Sequence, residues 1–302
     1  MSSPTPANTI NPQQAKQEPR VDNNPTPPPY PAPLIVEPAS THTQSWIILH
    51  GRGDTAFSFA TSGPDSFLRL LQPHPHIRFV FPTAAPRYAR VFDIADCTQW
   101  FDVYSWNSGE NSGWQVQGLR ETTVWIHELV RREAEVVGET RVVLGGLSMG
   151  CASVLVALLV WRGGPLGGVF GMSGWLPFAE VLEGEVAGGE AEGVRNAGVL
   201  GNKHGYGSAC RRAVERLGWE LGVPVGQGEA FLQTPILLMH GTDNDTVDIE
   251  LGRRAADCLR KLGGDVVWKE YEGLGHWMSQ DELDDVAKWA GSLVGQEAAG
   301  QH

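Results

Sequence analysis

The 302-residue chain carries 35 acidic against 23 basic side chains, a formal net charge of −12, which argues against nucleic acid or an anionic membrane surface as its main partner. Both reward clustered Lys and Arg. Its apolar content of 41% and charged content of 19% are those of a globular protein and exclude wholesale disorder. At ~100–200 residues per domain the length allows one large or two small domains.

The N-terminus, Met1 to Ile10, has neither the basic start nor the apolar stretch of a secretory leader. The apolar run Val154 to Trp161 falls far short of the ~18 residues of a membrane span. Cys97, Cys151, Cys210 and Cys258 form no C-x-x-C pair, so free thiols in a cytoplasmic protein are expected, and the Cys and His residues are too scattered for a zinc site.

Along the chain, residues 1–43 stand apart. Pro25, Pro27, Pro28, Pro29, Pro31 and Pro33 lie among Asn, Gln, Ser and Thr, the composition of a disordered, solvated tail. Its P-x-x-P spacing makes SH3 or WW domains candidate partners. From residue 44 to 302 the pattern is that of one folded domain. Apolar, β-branched runs predict strands over Trp46–Leu49, Ile77–Phe81, Arg141–Leu144, Gly168–Met172, Pro235–Met239 and Val266–Tyr271. Helical periodicity falls between them, over Gly118–Val137, Asp248–Leu262 and Glu282–Leu293, while Cys151–Trp161 is apolar nearly all round and reads as a buried helix. Strands apolar on both faces that alternate with helices indicate a mostly parallel sheet covered by helices. Residues 181–229, rich in Gly and Glu, break the rhythm and, apart from a short helical stretch around Arg211–Leu221, read as a long, partly flexible insertion before the penultimate strand, either a lid-like element or a plain surface insertion.

The sharpest local signal is Gly146-Leu147-Ser148-Met149-Gly150, set between a predicted strand and a predicted apolar helix. A strand, a sharp turn and a helix are what a nucleophile elbow needs, and small residues on either side let the turn close with the serine hydroxyl exposed. Without that context the pentapeptide would be an ordinary tight turn. A serine nucleophile requires a base. Among nine histidines His276 stands out, in the flexible Gly273-Leu274-Gly275-His276 loop between the last strand and the last helix. Elsewhere a loop histidine is usually a solvent-facing side chain. The acid that orients the base should follow the strand Pro235–Met239, where Asp243, Asp245 and Asp248 lie; Asp248 has an alternative role as helix N-cap. Oxyanion donors are expected from the amide of Met149 and, in the glycine-rich His50-Gly51-Arg52-Gly53-Asp54 turn, from the amide of Arg52.

His50-Gly51-x-Gly53-Asp54, Phe81-Pro82, Trp100-Phe101-Asp102, Gly145-Gly146-x-Ser148-x-Gly150, Ser173-Gly174-Trp175-Leu176-Pro177, His240-Gly241 and Gly273-x-Gly275-His276 occur in an order that resembles the phospholipase/carboxylesterase family of α/β-hydrolases, which includes the acyl-protein thioesterases. The resemblance spans Ser45 to Leu293. It implies a doubly wound α/β-hydrolase fold, no metal and no organic cofactor, and a Ser-Asp-His triad with Ser148 as nucleophile and His276 as base. It also implies that Trp100 lies near the acyl pocket and that substrates are carboxylic esters, lysophospholipids or S-acylated proteins. At the position where the family usually carries its triad aspartate this chain has Asn244, with Val247 in the family's register. A one-residue shift of the loop would give the role to Asp245 or Asp243, and Asp245 is the assignment made here. The alternative is a catalytically weakened hydrolase fold serving as a binding module, since an asparagine holds an imidazole ring but does not stabilise its cation by charge.

Overall fold

The computed structural model describes residues 30–62, 67, 74–103, 113–196, 207–227 and 229–299. Its frame is a seven-stranded sheet built from β1 (Leu34–Val36), β2 (Gln44–Leu49), β3 (Ile77–Phe81), β6 (Val142–Leu147), β7 (Gly168–Met172), β8 (Ile236–Gly241) and β9 (Val266–Tyr271), in the spatial order β1-β3-β2-β6-β7-β8-β9. Every pairing is parallel except β1 against β3, where Leu34 faces Phe81 and Val36 faces Phe79. A separate hairpin, β4 (Pro86–Ala89) with β5 (Ile94–Thr98), stands off the sheet.

Side chains alternate across a strand, so β2 feeds two cores at once. Trp46 and Ile48 join Phe79, Phe81 and Phe170 on one face, against helix α1 (Ala56–Thr61) and the C-terminal helix α8 (Gln280–Ala299). Ile47 and Leu49 join Val80 and Leu144 on the other. There the cover is α2 (Gly113–Val137), α3 (Met149–Leu159), α4 (Ala179–Asn196), α5 (Ser208–Leu221) and α7 (Ile249–Lys261), with the short α6 (Glu229–Gln233) beside α3. Every residue of α3 is buried, which explains its lack of a polar face. In β6 the sheet leaves no room for side chains at Gly145, where a Cβ would enter the Phe170 ring.

Three features depart from the sequence reading. Within the stretch expected to be tail, residues 30–43 include an edge strand: Leu34-Ile35-Val36 is apolar enough to pair with β3, and Tyr30 packs beside it on α2. The proline run Pro25–Pro29, the main part of the candidate SH3 or WW contact, lies outside the described residues. The insertion contains α4 and α5, whose Leu182, Val186, Ala213, Leu217 and Leu221 are buried in the main core. The expected helical stretch Arg211–Leu221 falls within α5, whereas the Gly- and Glu-rich composition concealed α4. The β4–β5 hairpin leaves no periodic core pattern in the sequence because its large apolar side chains, Tyr88 and Ile94, are exposed.

Candidate active site

The site begins where β6 runs into α3. Ser148 sits at the junction with φ 56° and ψ −117°, a backbone region that ordinarily favours glycine. Strand pairing holds it there, since its N–H donates to the Met172 carbonyl at 2.8 Å. The flanking glycines are sterically required: a Cβ at Gly146 would strike the backbone of Gly150, and one at Gly150 would lie 2.8 Å from the His50 carbonyl oxygen and strike that of Leu49. The sequence therefore fixes a sharp turn with the serine hydroxyl at its crest.

His276 reaches that hydroxyl from the loop after β9. The loop turns at Gly273, with φ 73°, and is stapled to the end of β8: the Asp243 amide donates to the Leu274 carbonyl at 3.0 Å and the Gly273 amide to Thr242 Oγ1 at 2.9 Å. His276 Nε2 lies 3.0 Å from Ser148 Oγ, and Nδ1 lies 3.0 Å from Asn244 Oδ1.

The residue that meets the imidazole is thus Asn244, not Asp245. Asn244 folds back in an Asx-type turn, its Oδ1 accepting from the amides of Thr246 at 3.1 Å and Val247 at 2.9 Å. Those contacts, with Val247 fully buried as an anchor, keep the loop in register and aim the asparagine inward. Asp245 points to the cavity mouth, where its carboxylate accepts from Thr246 Oγ1 at 3.2 Å. Asp243 is exposed and accepts from Thr242 Oγ1, and Asp248 caps α7 by accepting from the Glu250 amide.

Two backbone amides donate to Asn244 Oδ1, which identifies that atom as the oxygen; His276 Nδ1 must then carry the proton and Nε2 is left bare to accept from Ser148. Behind the asparagine, His240 Nε2 lies 2.9 Å from the Val247 carbonyl and 3.1 Å from Asn244 Nδ2, an acceptor and a donor competing for one ring nitrogen. Burial pushes the pKa of His276 down to about 4; neighbouring His240 and Arg52 push the same way, and only the charge of Asp245 opposes them.

Ser148, Met149, Arg52 and His276 line one cavity of about 850 Å³. The Met149 amide opens α3, where helix N–H groups lack intrahelical partners and the dipole favours negative charge. The loop carrying Arg52 closes on Ser148, for a Cβ at Gly51 would stand 3.5 Å from that of the serine. It is held by the Gly53 amide, which donates to the Thr98 carbonyl at 2.7 Å, and the Arg52 guanidinium lies 4.7 Å over the Phe92 ring. Trp100 does not line this cavity. It is fully buried behind the loop, its Nε1–H donating to the His50 carbonyl at 2.8 Å. The apolar wall is instead made by Phe92, Ile94 and Trp277, all substantially exposed. The apolar Val91-Phe92-Asp93-Ile94 stretch was a sequence signal for such a wall, in a segment too short to be core. Among the described residues no cluster of three or more His, Cys, Asp or Glu side chains could hold a metal ion, and no helix is long and apolar enough to cross a membrane.

The parallel sheet, the strained elbow and a histidine delivered by the loop after the last strand define an α/β-hydrolase fold. The sequence profile of the phospholipase/carboxylesterase family matches residues 31–189 and 226–292, and the chain belongs to that family. It is 29% identical over 260 residues to acyl-protein thioesterase 1 of Gibberella zeae, covering 84% of this chain and 92% of the relative. It is 25% identical over 265 residues to acyl-protein thioesterase 1 of Yarrowia lipolytica, covering 87% and 96%. Among solved structures, Zea mays acyl-protein thioesterase 2 superposes with a TM-score of 0.63 at 25% identity, covering 87% of this chain and 99% of that one.

Proposed function

We propose that the protein is a serine hydrolase that cleaves carboxylic esters or thioesters, S-acylated proteins among them. The observation that carries this reading is the continuous line from Ser148 Oγ through both nitrogens of His276 to Asn244 Oδ1, each link 3.0 Å. His276 Nε2 takes the hydroxyl proton as Ser148 Oγ adds to the acyl carbon. The resulting oxyanion is met by the amides of Arg52 and Met149. His276 then hands its proton to the departing alcohol or thiol, leaving an acyl-serine. Water, deprotonated by the same nitrogen, releases the carboxylic acid and restores Ser148.

Asn244 fixes the tautomer and direction of the ring but brings no charge to the imidazolium. Asp245, at the cavity mouth, is the carboxylate whose field favours that cation. The exposed Phe92, Ile94 and Trp277 offer an apolar channel for the acyl chain. The names of the thioesterase relatives support an S-acyl substrate.

Asn244 also motivates a second reading, a hydrolase fold retained for binding. Hydrolysis of p-nitrophenyl esters of increasing chain length, wild type beside Ser148→Ala, separates the two. Turnover lost in Ser148→Ala supports the hydrolase, and its chain-length optimum sizes the apolar channel. Absence of turnover from folded wild-type protein at every chain length favours the binding module.

A further inference from the structure

The segment ahead of β1 makes a contact that the hydrolase reading leaves unused. The Tyr30 ring stacks on Trp125, with centroids 5.3 Å apart and planes at 9°, and lies parallel to Trp100 at 6.4 Å and 19°. Its hydroxyl is fully engaged: Arg87 donates to it at 3.3 Å, and it pairs at 3.1 Å with Thr122 Oγ1. The Thr122 hydroxyl is itself the donor to the Trp100 carbonyl at 2.6 Å, so it must accept from Tyr30. Arg87 is anchored in turn by a 2.6 Å ion pair to Glu121.

On its far side Trp100 touches the oxyanion loop. Its Nε1–H donates to the His50 carbonyl at 2.8 Å, and its indole lies 4.9 Å from the His50 ring. His50 is fully buried and is pinned by the Ala84 amide, which donates to Nε2 at 3.0 Å. The next residues are Gly51, against Ser148, and Arg52, whose amide faces the developing oxyanion in the hydrolase reading. An unbroken series of contacts therefore runs from the N-terminal segment to the wall of the reaction centre: Tyr30, Trp100 with Thr122, His50, and the loop Gly51–Gly53.

We propose that Tyr30 is a positioning residue: by bracing Trp100 from behind, the N-terminal segment sets the place of the oxyanion loop. Pairing of β1 with β3 seats the segment, and Tyr30 is its wedge. Part of this rests on the hydrolase reading, because the consequence for rate requires that the loop hold a transition-state donor. The mechanical coupling does not rest on it.

The test uses the full chain as wild type, Tyr30→Ala and Tyr30→Phe, with two readouts. The first is hydrogen–deuterium exchange over residues 50–54, where the Gly53 amide is protected by its bond to Thr98. Exchange is expected to accelerate in Tyr30→Ala and to return to the wild-type rate in Tyr30→Phe, which keeps the stack. The second is ester hydrolysis. Tyr30→Ala should lose about tenfold in kcat with KM unchanged, less than the ~10²–10³-fold loss on deleting an oxyanion donor outright. Tyr30→Phe should recover most of that loss. Should Tyr30→Ala not fold, Tyr30→Leu removes the parallel stacking while keeping apolar bulk, and the same outcomes are expected of it. Unchanged exchange over residues 50–54 together with unchanged kcat, in a variant that merely melts earlier, would overturn the proposal. If wild type shows no Ser148-dependent turnover, the hydrolase reading fails while the exchange result alone decides the coupling.

Discussion

His276 Nδ1 and Asn244 Oδ1 lie 3.0 Å apart, so the ring that faces Ser148 is held by an amide and not by a carboxylate. Geometry and electrostatics are thereby separated in this site. The tautomer is right and the direction is right, while stabilisation of the protonated ring is left to Asp245 at a distance.

Asn244→Asp should therefore raise activity. The position already presents donors to a carboxylate: the Thr246 and Val247 amides and His276 Nδ1 on one oxygen, and His240 Nε2 on the other. The new oxygen also removes the competition at His240, whose Nε2–H could then serve the carboxylate and the Val247 carbonyl together. Exchanging aspartate for asparagine in a serine triad costs about 10⁴-fold in kcat elsewhere. With Asp245 already supplying part of the field, the expected gain is on the order of 10²–10³-fold, read as kcat on a p-nitrophenyl ester. A fall in kcat would show that the neutral amide is what this site needs.

The pH profile follows from the same arrangement. The active form of His276 is the neutral ring, and burial holds its pKa down to about 4. In wild type kcat/KM should stay level as pH is lowered through the ordinary histidine range and fall only as it passes about 4. In Asn244→Asp the carboxylate favours the cation, so the acid limb moves to higher pH. A wild-type limb near the ordinary histidine value would place His276 in a more solvated setting than the structure gives it.

Stability should carry a pH signature of its own, from Glu282. This residue closes a capping box at the start of α8, its carboxylate accepting from the Ser279 amide at 2.9 Å while its own amide donates to Ser279 Oγ at 3.2 Å. Burial raises its pKa to about 7. Because the folded-state value lies above the unfolded one, the associated stability is complete below about pH 4.5 and is lost as pH rises through about 7. Urea midpoints should decline between pH 5 and 8, by a stability change on the order of 2 kcal/mol. Glu282→Gln should flatten that decline, and a slope unaltered by the substitution would assign it to other groups.

The elbow makes a steric prediction. Gly150→Ala forces a methyl against the His50 and Leu49 carbonyls, both backbone, so the fold should lose about 3 kcal/mol or more. Gly51→Ala adds a methyl at ordinary contact distance, 3.5 Å from the Ser148 Cβ, and should leave stability within about 0.5 kcal/mol. Thermal melts of the two variants beside wild type check the contrast, which equal destabilisation would refute.

Much of this was legible in the residues. Ile77–Phe81 and Gly168–Met172 are strands at their predicted limits, because a strand buried on both faces is written mainly in apolar residues; the half-exposed edge strand Val266–Tyr271 also keeps its limits, marked by its β-branched and aromatic residues. Ser148 and His276 were found because an elbow and a glycine-rich loop leave local signatures, and the structure brings the two side chains together. Asp245 was preferred over Asn244 on charge alone, whereas the choice is made by an Asx turn that spends the asparagine oxygen on two backbone amides. Trp100 was placed at the pocket by resemblance, but its indole N–H is claimed by the His50 carbonyl and the ring is drawn behind the loop. Tyr30 is hidden in a proline-rich context; the tryptophans that hold it, Trp100 and Trp125, lie 70 and 95 residues downstream, a pairing that no local pattern records.

The most direct test of the central claim is intact-mass spectrometry of the protein quenched within its first turnovers of a p-nitrophenyl ester. The account predicts a mass increase equal to one acyl group, mapped by peptide analysis to Ser148 and absent from Ser148→Ala. Ester turnover with no acyl adduct, or an adduct that persists in Ser148→Ala, would contradict it.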